Sequence, residues 1–163
     1  MVKEYKLKRS ENNIQIIIKK KITNLEDMFE FCSSLKNIDE LKYLDTREIK
    51  NFSGMFSACS SLTDINGLEN WNVSKGNNFA IMFDGCLSLS DIKSLENWNV
   101  SNGNNFSSMF SLCSSLTDLK SLENWDVSNG NNFTSMFNFC SSLTEIKSFT
   151  EKWSKKFKKN INF

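Results

Sequence analysis

Asn97-Trp98-Asn99-Val100-Ser101-Asn102-Gly103-Asn104-Asn105-Phe106-Ser107-Ser108-Met109-Phe110-Ser111-Leu112-Cys113-Ser114-Ser115-Leu116 returns almost letter for letter 27 residues later, from Asn124-Trp125-Asp126-Val127 to Cys140-Ser141-Ser142-Leu143. The same step runs backward along the chain. Met-Phe begins at Met28, Met55, Met82, Met109 and Met136, and cysteine recurs at Cys32, Cys59, Cys86, Cys113 and Cys140. Leu35, Leu62, Leu89, Leu116 and Leu143 keep the phase, as do Asn24, Asn51, Asn78, Asn105 and Asn132. Trp71, Trp98 and Trp125 form a shorter row that Leu44 begins. A fixed period of this length, held by apolar residues, is the signature of repeating units that bury their faces against one another.

One unit gives an expectation for local structure. Leu89, Ile92, Leu95 and Trp98 lie three apart and Val100 follows, which suits a short strand and a bent segment with large side chains turned inward. Ser101 to Asn105 is turn chemistry, with Gly103 free in φ. Asn105 then N-caps a short helical turn, since Phe106, Met109 and Cys113 fall at i, i+3 and i+7. The expected fold is an α/β repeat solenoid. It is a leucine-rich-repeat-like stack of five 27-residue coils, each with one short parallel strand and one short helical turn, stacked at ~4.8 Å.

The 163 residues amount to about one domain. With 39% hydrophobic and 24% charged residues and a net charge of +1, the composition is that of a folded, soluble chain. No apolar run approaches the ~20 residues that span a bilayer. The N-terminal apolar run, Ile14 to Ile18, is short, contains Gln15 and is followed by lysines, unlike a secretory leader. Histidine is absent, which excludes Ser-His-Asp and Cys-His catalysis and every histidine-bearing metal site. Five cysteines cannot all pair within one chain.

The phrase Asp45-Thr46-Arg47-Glu48-Ile49-Lys50-Asn51-Phe52-Ser53-Gly54-Met55-Phe56, followed by Cys59-Ser60-Ser61-Leu62-Thr63, resembles the BspA-type leucine-rich-repeat surface proteins. Asn97-Trp98-Asn99-Val100-Ser101 and Met109-Phe110-Ser111-Leu112-Cys113 fit the same family phrase. The resemblance covers about Leu25 to Ile146. It implies a surface-exposed adhesive or protein-binding repeat, whereas the missing leader implies the cytoplasm. Where the family phrase has valine, this chain has Ile49, Gly76, Gly103 and Gly130. The glycine-bearing coils are expected to lose an apolar contact there and loop outward.

The period breaks at both ends. Val2 to Arg9 and Ile14 to Lys20, with Ser10 to Asn13 between them, read as a β-hairpin. Trp153, Phe157 and Ile161 fall on one helical face, with Lys152, Lys155, Lys156, Lys158 and Lys159 around it. The expected division is an N-terminal hairpin cap over 1–23, a five-coil body over 24–148 and a basic helical cap over 149–163. Residues 1–21 and 147–163 each carry a net +5, and 22–146 a net −9. Such ends suit solvated caps, self-association through opposite charge, or contact of the lysine-rich C-terminus with a membrane surface or nucleic acid.

Chemistry has few footholds. The cysteine row has no C-x-x-C, and a line of thiols cannot converge on one tetrahedral ion. It reads as a reduced core row, as Trp71, Trp98 and Trp125 do. Asp64, Asp91, Asp118 and Glu145 form an acidic row, with Lys93, Lys120 and Lys147 two residues on. The row lacks the calcium-binding repeat phrase, so no metal and no cofactor is expected. The acids recur from coil to coil, and a catalytic pair would be unique, so no enzyme is expected. The N-x-[ST] sequons at Asn51, Asn72, Asn99, Asn105 and Asn132 follow from the Asn- and Ser-rich repeat itself. Thr63, Asp64, Asp91, Lys93, Thr117, Asp118, Lys120, Thr144 and Glu145 are the candidate partner face. The expected function is a non-enzymatic module binding a protein or glycan; the alternative is an intracellular scaffold subunit assembling through its charged ends.

Overall fold

The computed structural model describes residues 3–7, 14–18, 22–158 and 161. Strands β1 (Lys3–Leu7) and β2 (Ile14–Ile18) pair antiparallel, with Lys3 opposite Ile18 and Leu7 opposite Ile14. Val2, Arg9, Lys19, Lys20 and the Ser10 to Asn13 turn expected between the strands lie outside the described residues. From Ile22 the chain winds in turns and bends, with short 3-10 segments at Asp39–Tyr43, Lys93–Leu95 and Lys120–Leu122. It ends in one helix, α1 (Ile146–Phe157), closed by Lys158 at φ 50°.

Consecutive windings lie in parallel register, 27 residues apart. Isolated parallel bridges join Asn24 to Asn51, Asn51 to Asn78, Asn78 to Asn105 and Asn105 to Asn132. Beyond each asparagine the backbone makes a ladder of one direction. Phe79, Ile81, Phe83 and Gly85 donate their N–H groups to the carbonyls of Asn105, Ser107, Met109 and Ser111 at 2.8–2.9 Å. The intervening N–H groups close turns within the coil, as Met82 N–H does on Phe79 O and Asp84 N–H on Ile81 O.

This arrangement corrects the expected α/β leucine-rich-repeat-like solenoid. No coil carries a strand, only single bridges, and no coil carries a helical turn of the expected kind; β1 and β2 are the only strands among the described residues. The reason is local. Within the segment expected to be helical, Ser108 and Leu112 sit at φ 52° and 60°, as do their equivalents in the neighbouring coils, so no i→i−4 ladder forms. Asn105 caps no helix. Its Oδ1 accepts the N–H of Ser107, two residues on, at 3.1 Å, and Asn51, Asn78 and Asn132 do the same. These are Asx turns, which offer the backbone an alternative to a helix.

The core is a set of aromatic and aliphatic rows. Phe52, Phe79, Phe106 and Phe133 stack ring on ring at 5.3–5.4 Å, and Phe29, Phe56, Phe83, Phe110 and Phe137 at 5.5–5.8 Å. Trp71, Trp98 and Trp125 stack at 6.3 and 6.4 Å. Each of these indoles donates Nε1–H to a carbonyl of the preceding coil at 2.9 Å, namely Leu41, Leu68 and Leu95. Polar atoms inside the stack are thus satisfied between coils while the rings are buried.

The glycine positions do not loop outward. Gly76, Gly103 and Gly130 are buried, and the phenylalanine three residues on fills the space a side chain would take. A Cβ on Gly103 would stand 2.3 Å from Phe106 Cζ. Ile49, at the first such position, is fully buried. At the C-terminal end, Phe149 and Trp153 of α1 lie edge-on against Phe137 and Phe133, so the helix covers the last ring rows. Ile161 is buried but lies beyond α1, and Lys159 is outside the described residues.

Candidate functional site: the recess between the fourth coil and the terminal helix

The acidic row is built into the backbone. Oδ1 of Asp64, Asp91 and Asp118 accepts the N–H two residues on, from Asn66, Lys93 and Lys120, at 3.2, 2.7 and 3.0 Å. Asp64 and Asp91 are joined by a parallel bridge, and Thr63 Oγ1 donates to Asp64 Oδ2 at 3.2 Å. Each aspartate therefore turns the chain with one oxygen, and Asp91 and Asp118 are exposed to solvent. Among the described residues, neither Lys93 nor Lys120 forms an ion pair with this row. Glu145, the fourth member, precedes α1 and accepts Phe149 N–H on its own carbonyl at 3.1 Å.

Only part of the candidate face is brought together. Thr117, Asp118 and Lys120 face Thr144 and Glu145 across a recess of about 210 Å³, whose third wall is Ser148, Phe149 and Lys152 of α1. Thr63, Asp64, Asp91 and Lys93 lie on the earlier coils, outside it. Sequence reasoning missed Leu119, Glu123, Leu143, Ser148, Phe149 and Lys152, which complete the lining. Lys152 Nζ pairs with Glu123 Oε1 at 3.3 Å and ties α1 to the fourth coil. Lys156 Nζ reaches the carbonyl of Glu123 at 3.2 Å. One signal was available: Glu69, Glu96 and Glu123 are in phase, and Lys152 falls 29 residues after Glu123, one coil and two residues on.

The recess has an apolar floor of Leu119 and Phe149, both buried, and a rim of hydroxyls, three carboxylates and two ammonium groups. It offers hydrogen-bond donors and acceptors and charges of both signs. Among the described residues, no three Cys, Asp or Glu side chains cluster as a metal site would need. No described helix is long and apolar enough to cross a membrane.

The cysteine row lies apart from the recess. Cys59, Cys86, Cys113 and Cys140 are buried and unpaired with one another, and each thiol donates to a carbonyl of the preceding coil. Burial pushes the Cys59 thiol up to about 12 and that of Cys140 to about 11, and raises Cys86 and Cys113 as well. Cys32, expected in the same core row, is exposed because no described coil precedes it.

A family model described as "Mycoplasma protein of unknown function, DUF285" matches residues 1–117 and again residues 66–162. The two matches overlap over 66–117, as a model laid on a recurring unit does. No curated protein and no solved structure gives a match. The likeness to BspA-type leucine-rich-repeat surface proteins is corrected by this finding, and the labels of leucine-rich repeat and surface adhesin do not carry over. The chain belongs to the Mycoplasma protein family of unknown function DUF285.

Proposed function

We propose that this family member is a non-enzymatic binding module that holds a protein or glycan partner at the recess beside α1. The observation that supports the reading is the convergence of Thr117, Asp118 and Lys120 with Thr144 and Glu145 around one concave space. A small apolar floor with a few placed polar groups is the usual build of a recognition site. Alternation of carboxylates, ammonium groups and hydroxyls around Phe149 suits a partner that presents both donors and acceptors. Lys152 pairs with the Glu123 carboxylate and Lys156 bonds its backbone carbonyl, which holds α1 as a wall of the recess.

The test is a paired screen of the full chain and of Thr144→Arg, whose side chain fills the recess from an exposed position. Both are applied to a glycan array and to immobilised protein extracts of the source's host. The reading expects a ligand retained by the native chain and lost by Thr144→Arg, with the urea midpoint unchanged. Ligands that bind both chains equally would place recognition elsewhere.

A further inference from the structure

The first coil differs from those after it along one edge. Throughout the stack, backbone carbonyls at one set of positions accept N–H groups from the coil before: Asn51, Ser53, Met55 and Ser57 take them from Leu25, Asp27, Phe29 and Phe31 at 2.8–3.0 Å. The first-coil equivalents are the carbonyls of Asn24, Glu26, Met28 and Glu30, and no described N–H reaches them. Two side-chain observations agree. Phe56 has a stacked ring on each side, from Phe29 and Phe83, whereas Phe29 has a stacked ring only from Phe56 among the described residues. Cys32 is exposed where Cys59, Cys86, Cys113 and Cys140 are covered. The edge is also acidic: Ile22 to Leu35 contains Glu26, Asp27 and Glu30 and no basic residue.

We propose that this edge takes an extended, basic peptide segment of a partner protein, which lies down as one further layer of the stack. Its alternate N–H groups bond the carbonyls of Asn24, Glu26, Met28 and Glu30, as the coils bond one another. An aromatic residue of the segment covers the ring of Phe29, and its basic side chains meet Glu30 and the net negative charge of this first coil, in which Glu26 and Asp27 turn their carboxylates toward Ser53 and Gly54. The site goes beyond the recess reading and stands at the opposite end of the stack, so either can fail without the other.

Cys32 supplies the readout, since an added layer covers it as the first coil covers Cys59. The full chain is alkylated with iodoacetamide in the presence of the peptide Asn-Phe-Lys-Gly-Met-Phe-Lys-Ala-Ser. This probe repeats Asn51 to Cys59 with lysine for both serines and serine for the cysteine. The expected result is saturable slowing of Cys32 labelling, by about tenfold. N-methylation of the glycine and second phenylalanine amides, two of the four that would bond the edge, is expected to abolish it. Glutamate in place of the lysines is expected to weaken it. Unslowed labelling at saturating peptide, or equal protection by the N-methylated peptide, would overturn the proposal. Protection that rises with protein concentration alone would assign the edge to a second copy and overturn it equally.

Discussion

Gly103 closes a turn, its N–H donating to Val100 O at 2.7 Å, and a neighbouring ring also dictates the glycine. Its missing Cβ leaves the space that the Phe106 ring enters, with Val100 O 2.9 Å from where the Cβ would be. Gly103→Ala is therefore expected to destabilise by about 1–3 kcal/mol, the usual cost of overfilling a close-packed core. Equilibrium urea unfolding measures it, and an unchanged midpoint would mean that the Phe106 ring is not seated against this backbone. The sequence showed that residue 103 breaks the valine of the phrase, but not what fills the gap. Phe106 is three residues away and serves in its own row, so its second contact appears only in three dimensions. Cys32 carries the same lesson. Period alone put it in a buried row, yet burial needs a preceding layer, which the first member lacks among the described residues.

At the scale of elements, the 27-residue rows were legible because identical residues at equal spacing fall into register when windings stack. The conformation of each winding was not. Phe106, Met109 and Cys113 have helical spacing, but the positive φ at Ser108 and Leu112 belongs to residues that do not announce it. The ladder from one coil to the next compensates that strain with a regular set of hydrogen bonds. The tryptophan row shows how strongly one winding depends on its neighbours. Trp98 stacks on Trp71 and Trp125 and bonds Leu68 O, all outside its own coil. Trp98→Ala is expected to cost about 3–5 kcal/mol, in the range for large aromatic truncations. A urea midpoint equal to that of the native chain would show that the row is not a core row. The recess was half legible for a related reason. Thr117, Asp118, Thr144 and Glu145 follow from the period, but Phe149 and Lys152 come from α1, whose docking no period encodes.

At the scale of the whole molecule, the stack has direction. Beyond each asparagine the alternate N–H groups of a coil point to the next, which leaves the matching carbonyls at the first edge and the α1-covered rings at the last. Its interior also fixes a response to pH. The thiol of Cys59 is held up to about 12 and that of Cys140 to about 11, against an ordinary value of 9.0, chiefly by burial. The native chain keeps these protons where the unfolded chain releases them. Their contribution to stability is therefore complete below pH 9 and is lost as pH climbs through about 11 to 12. Urea midpoints followed from pH 8 upward are expected to fall above pH 9, with a shallower fall in Cys59→Ala. Equal slopes would remove the thiols from the account.

The stacked-coil architecture is tested most directly by mass-resolved thiol alkylation of the native chain. It places four cysteines under a preceding coil and leaves Cys32 exposed. The predicted result is a single rapid adduct at Cys32, with Cys59, Cys86, Cys113 and Cys140 reacting only once urea unfolds the chain. Rapid native labelling of Cys86 or Cys113, the members of the row deepest in the stack, would contradict it.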